Sequence, residues 1–123
     1  MESRTERRTR EEKAAKKAEI EQWRDAACFA NVSAIGRTWH ADTRSQDLLN
    51  KAISLAGLGL PLPTEWRDTA NDNMPVTSIN ELLEIAGAMA YQAQTAYGVS
   101  WTLKAQVDAT ATAAELEAIV WPS

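Results

Sequence analysis

Cysteine, histidine and long apolar runs are all scarce in this chain, and each scarcity removes a class of function. Cys28 is the single cysteine in 123 residues, so an internal disulfide is impossible and metal sites built on paired thiolates are excluded. His40 is the single histidine. No apolar run reaches the roughly 18–20 residues needed to cross a bilayer, and the charged N-terminus lacks the apolar segment of a signal peptide. The expectation is a protein made in the cytoplasm that stays soluble there until it assembles with something. Concentrated positive charge is missing as well. The net charge is −4 with a pI near 5.0, and it is unevenly split. Residues 1–25 hold 8 Lys/Arg and 7 Asp/Glu, whereas residues 26–123 hold 5 and 10. An acidic body disfavours nucleic acid, because phosphate binding needs clustered cations.

What is present is a 45% apolar composition, enough for a modest core that buries roughly two thirds of the unfolded surface. The chain is organised around Ser78 to Ala109, which reads as one long amphipathic helix with a bend at Gly98. Ile79, Leu82, Leu83, Ala86, Ala90, Ala93 and Tyr97 recur at steps of three and four, the spacing of one helix face. Ser78 and Glu81 fit a capping box. Trp101, Leu103 and Val107 continue an apolar surface.

The remaining elements are short enough to lie against that helix. Met1 to about Ala30 is rich in Glu, Lys, Arg and Ala, all good helix formers, and Glu6–Arg10 and Glu12–Lys16 have the favourable order. Its first part has no apolar stripe, so packing cannot hold it in isolation; the stripe begins with Ala15, Ile20, Trp23, Ala27 and Ala30. The domain division expected is a charged helical arm over 1–17 and a single small α+β domain over 18–123. Asn31 to Asp42 reads as a β-hairpin turning at Gly36. Thr43 to Gly57 reads as a helix with a Thr43/Gln46 capping box, a stripe of Leu48, Leu49, Ala52, Ile53 and Ala56, and Gly57 as its C-terminal cap. Leu58 to Pro63 is a loop, since proline cannot continue the helix. Thr64 to Thr77 reads as a second hairpin, anchored by Trp66, turning at Asn71-Asp72-Asn73 and returning through Val76 and Thr77. Thr112 and Glu115 cap a last helix carrying Leu116, Ile119 and Val120. The fold class expected is mainly α with small β.

No enzyme constellation emerges from these elements, and no cofactor motif. His40 has Asp42 two residues on but no recognisable nucleophile, so a structural histidine is the favoured reading. Asp68, Asp72 and Asn73 suggest a calcium loop, but no central glycine or closing glutamate follows. Gly57 and Gly59 are too sparse to cradle a phosphate. The five tryptophans sit one in almost every element, which fits anchoring of a small core or an interface better than a sugar platform, where they would cluster.

In order, GRTWHAD, the capped helix TRSQDLLNKAISLA, EWRDTANDNMPVT, AMAYQAQTAYGVSWTLKAQVDA and TAAELEAIVWPS together resemble a domain family of unassigned function. That family is found in tail proteins and tail-fibre assembly proteins of bacteriophages and prophages. The resemblance covers Ala18 to Pro122, and the closing Trp121-Pro122 is similar to the ending of tail-fibre assembly chaperones. It implies a non-enzymatic protein of the virion tail that binds a tail-fibre or baseplate protein, within a multi-chain assembly, as a structural component. The alternatives are an assembly chaperone absent from the mature particle, and a carbohydrate-binding module at a fibre tip. The family supplies no catalytic, cofactor or metal residues. The partner contacts expected are Trp23, Trp39, Trp66 and Trp121, together with the charged arm.

Overall fold

The computed structural model describes residues 2–122. In chain order these form α1 (Arg4–Cys28), β1 (Val32–Ala34), β2 (Arg37–Trp39), α2 (Thr43–Gly57), β3 (Glu65–Arg67), β4 (Asn73–Pro75), α3 (Ile79–Ala109) and α4 (Ala113–Glu117). The layout is the expected one, mainly helical with two small antiparallel hairpins, β1–β2 and β3–β4.

Local chemistry accounts for most of the boundaries. Ser3 caps α1: its Oγ accepts the Glu6 N–H while Glu6 accepts the Ser3 N–H, a capping box. At the start of α3 the Glu81 carboxylate accepts from the N–H groups of Thr77 and Ser78 and from the Thr77 hydroxyl. Thr112 caps α4 by accepting the Glu115 N–H. The cap of α2 is Asp42, one residue before the expected Thr43. Its carboxylate accepts the Ser45 N–H at 2.9 Å, and a charged cap also complements the helix dipole. Gln46 reaches back instead to the Ala41 carbonyl.

The far end of α2 also moves. Gly59, at φ +89, is the left-handed residue, with Leu60 N–H bonded to Leu55 O and Gly59 N–H to Ala56 O. That pair of bonds is the Schellman arrangement, so Gly57 is an ordinary helical residue. In the second hairpin the returning strand is Asn73–Pro75 rather than Val76 and Thr77. The Asp68 carboxylate accepts the N–H groups of Ala70 and Asp72, which shortens the turn and brings Asn73 opposite Arg67.

The chain divides into two compact units. In the unit spanning 28–94, Val32, Trp39, Leu49, Met74, Leu82 and Ile85 form the core. In the unit formed by 1–27 and 95–123, Ile20, Leu103, Val107, Leu116 and Ile119 pack together, with Trp23 and Trp121 against them. Here the ion pairs Lys17–Asp108 and Lys104–Glu21, both 2.7 Å, tie α1 to the end of α3. Such partly exposed pairs contribute at most about 1 kcal/mol each, so burial of the apolar set dominates.

α3 is helical without interruption through Gly98; Leu82, Leu103 and Val107 are buried as expected, but the middle of its buried face is not the expected one. Leu82, Ile85, Met89, Ala96, Leu103 and Val107 are buried, while Leu83, Ala90 and Tyr97 are exposed. Between Ala86 and Tyr97 the expected stripe lies one residue beyond the buried one, a rotation of about 100°. Alanine buries little area compared with leucine, isoleucine or methionine, so the large side chains choose the inward face. For the same reason Ile20 and Cys28 are buried in α1 whereas Ala15 and, just beyond the helix, Ala30 are exposed.

The first hairpin turns through Ile35 at φ 46 and Gly36 at φ 74, the two-residue geometry with both φ values positive. Gly36 adopts this freely; a β-branched residue does so at a cost of about 1–2 kcal/mol. Ile35 is 37% exposed and recovers only part of that cost by burial. Replacing it with asparagine, I35N, is expected to raise stability by about 1 kcal/mol, measured by chemical denaturation; a loss of stability would count against the turn geometry.

Candidate functional site

The 28–94 unit contains a cleft of about 250 Å³ between α2 and the two hairpins. Trp39, Leu48 and Trp66 give it apolar walls, Ser45 contributes from the first turn of α2, and His40, Glu65 and Arg67 lie at its margin. The hairpins reach this position because they are joined beside it. Thr69 N–H donates to the Thr38 carbonyl at 3.0 Å, and Arg37 Nη1 donates to Asp68 Oδ2 at 2.9 Å and to Asp72 Oδ2 at 3.0 Å.

Asp68 is buried, and its carboxylate is fully engaged by two backbone N–H groups and Arg37. The Asp72 N–H first, then the Arg37 guanidinium, hold its carboxyl below the ordinary value of 3.8. In return the Asp68 hydrogen bond, ahead of that from Asp72, raises Arg37. Two of the residues that suggest a calcium loop, Asp68 and Asp72, thus share the Arg37 guanidinium, which supplies the opposite charge that a buried carboxylate requires, while Asn73 Oδ1 accepts from Arg67 Nε. Among the described residues no group of three or more His, Cys, Asp and Glu is gathered to hold a metal. His40 is exposed and Asp42 is spent on the α2 cap. No described helix is long and apolar enough to cross a membrane.

The tryptophans expected to touch a partner occupy different environments. Trp39 is 1% exposed, with its Nε1–H donated to the Ala34 carbonyl at 3.0 Å; it presents no face to a partner. Trp66 is half-buried and borders the cleft. Trp23 and Trp121 are half-buried in the other unit, against the Ile20–Val107 cluster. The Lys16 ammonium lies 5.5 Å from the Trp23 ring centroid and donates to the Ile119 carbonyl. Trp39 and Trp66 are thus brought to one cleft, and Trp23 and Trp121 to one apolar cluster.

Trp101 was not among the expected contacts, yet it is 66% exposed. Its ring lies 6.2 Å from that of Tyr97, and the Arg24 guanidinium sits 4.6 Å from the Tyr97 centroid. The i, i+4 spacing of Tyr97 and Trp101 carries the signal for this patch. A larger groove, about 520 Å³, runs along the charged arm beside Thr9, Arg10, Lys13 and Lys17, but Lys17 is already held by Asp108.

The family model for Domain of unknown function (DUF4376) matches residues 11–120. The chain belongs to this family. The DUF4376 match takes in parts of both units and begins within α1, earlier than Ala18, so residues 11–17 of the charged arm lie inside it. No curated protein and no solved structure matches the chain.

Two expectations follow from this geometry. Trp39→Ala should cost about 3–5 kcal/mol in denaturant unfolding, whereas Trp101→Ala should change stability by less than about 0.5 kcal/mol; equal losses would mean that the burial assignment is mistaken. The second concerns pH. The Asp68 carboxyl is depressed in the folded state, so its contribution is fully present above the ordinary value and is lost as pH falls through the depressed one. The stability deficit of Asp68→Asn relative to the unsubstituted chain should therefore be largest at neutral pH and shrink on acidification. A deficit independent of pH would remove the linkage.

Proposed function

We propose that this chain is a non-enzymatic structural component of a bacteriophage tail, where it binds a tail-fibre or baseplate protein. The observation that carries the reading is the ordered series of motifs from GRTWHAD through TAAELEAIVWPS, which resembles tail-associated domains across most of the chain. The surface is compatible with it. Trp101, Tyr97 and the cleft beside Trp66 offer aromatic contact area of the kind that dominates protein interfaces, and α1 extends a highly charged arm.

The same reading places the protein in the virion tail after synthesis in the host cytoplasm. An assembly chaperone is the alternative, separated from it only by whether the chain remains bound. The carbohydrate-binding reading gains one observation, since Trp39, Trp66 and Glu65 border a single cleft. With Trp39 only 1% exposed, however, one indole is left for stacking, and protein binding is the better fit.

Quantitative mass spectrometry of purified particles, beside an infected-cell lysate, tests this. The expected result is a fixed copy number relative to a known tail protein. Presence in the lysate with absence from particles would replace the structural component by a chaperone.

A further inference from the structure

The outer edge of the second hairpin is taken at Thr69, whose N–H donates to the Thr38 carbonyl, but is unused at Glu65 and Arg67 beside the cleft. Asp68 N–H donates to Asp72 O at 2.9 Å and Val76 N–H donates to Thr64 O at 3.0 Å, which sets the phase of the β3–β4 ladder around the Trp66–Met74 pair. Antiparallel ladders alternate bonded and non-bonded pairs. Glu65 and Arg67, opposite Pro75 and Asn73, are therefore the non-bonded pairs, and their N–H and C=O groups point away from β4. Pro75, which has no N–H, fits a non-bonded position.

We propose that this outer edge of β3 pairs with an extended segment of a partner protein, whose one bulky apolar side chain enters the cleft beside Trp66. This rests on the reading of the chain as a partner-binding protein and specifies the surface used. Volume and geometry carry it. At about 250 Å³ the cleft is below the roughly 300–1,000 Å³ of small-molecule sites, and it suits a single large side chain. A strand added to β3 places the residue opposite Trp66 on the same sheet face as Trp66, the face that borders the cleft. Its two neighbours then lie on the other face, beside Glu65 and Arg67. In an antiparallel pairing, charge complementarity gives the segment the order acidic, bulky apolar, basic. Leu48, 49% exposed and outside the core cluster, forms the opposite lip.

The test uses the full chain, the peptide acetyl-Thr-Glu-Phe-Lys-Thr-amide at millimolar concentration, and amide-resolved NMR. Expected are slowed hydrogen exchange at the Glu65 and Arg67 amides and a shift of the Trp66 indole N–H. Both should be lost with a copy carrying serine in place of the phenylalanine, with a copy N-methylated on the amides that face β3, and in the Leu48→Glu protein. Because two of these controls alter the peptide alone, a folding defect in Leu48→Glu cannot imitate the result. Unchanged exchange at both amides overturns the proposal. A Trp66 shift with methyl glucoside, without amide protection by the peptide, overturns it in favour of a saccharide. Neither result bears on whether the chain is present in particles, so loss of this edge contact and loss of the tail-component reading are distinguishable.

Discussion

A buried carboxylate organises the hairpin half of the molecule. Asp68 could not be inside without compensation, because desolvating a charge costs several kcal/mol; two N–H donors and Arg37 supply it. Each of those bonds also shapes the fold. The N–H groups of Ala70 and Asp72 close the turn, and that closure sets the register that pairs Trp66 with Met74. The Arg37 bond ties the turn to β2, next to the Thr69–Thr38 backbone bond. Together they hold Trp39 and Trp66 at one cleft and decide which β3 amides face outward. The chemistry that suggests a cation site in the sequence is here the device that joins two marginal hairpins.

Much of the architecture was legible because it rests on local signals. Helical periodicity located α1, α2 and α3, and Thr112 with Glu115 marked α4 as a capped turn. The same S/T-x-x-E signal stands at Ser3 and Glu6, where it caps α1. The misses share a cause: they depend on which of several equivalent residues wins a tertiary competition. Gly57 and Gly59 are equally suited to a left-handed cap, and the choice falls to Gly59 through the Leu60 and Leu55 backbone bond. Asp42 and Thr43 are both good caps, and the charged one prevails. In the middle of α3 the alanines are poor guides to phase, because burial energy follows area and the larger Ile85 and Met89 side chains take the inward face.

The cleft was less legible than the fold. His40, the α2 residues Ser45 and Leu48, and Trp66 of β3 come from three separate segments and meet only through the hairpin junction. No spacing in the sequence encodes that meeting. The outward edge of β3 is a step further removed, since it depends on ladder phase, which a shift of one residue would reverse.

Counting tryptophans could not separate anchors from contacts, because both tasks favour the same side chain. Burial and neighbouring bonds do separate them. Trp39 has its indole N–H satisfied inside the core and stabilises the fold. Trp23 and Trp121 cover the small cluster around Ile20, where the arm meets the end of the chain. Trp101 differs in kind: it is exposed, yet packed beside Tyr97, whose ring is in turn held under Arg24. An aromatic already ordered by its neighbours loses little side-chain freedom when a partner covers it. On the proposed partner-binding reading, most of the apolar area it presents is therefore available to binding, and Trp101, rather than the better-buried tryptophans, is the aromatic contact to test in the 1–27 and 95–123 unit.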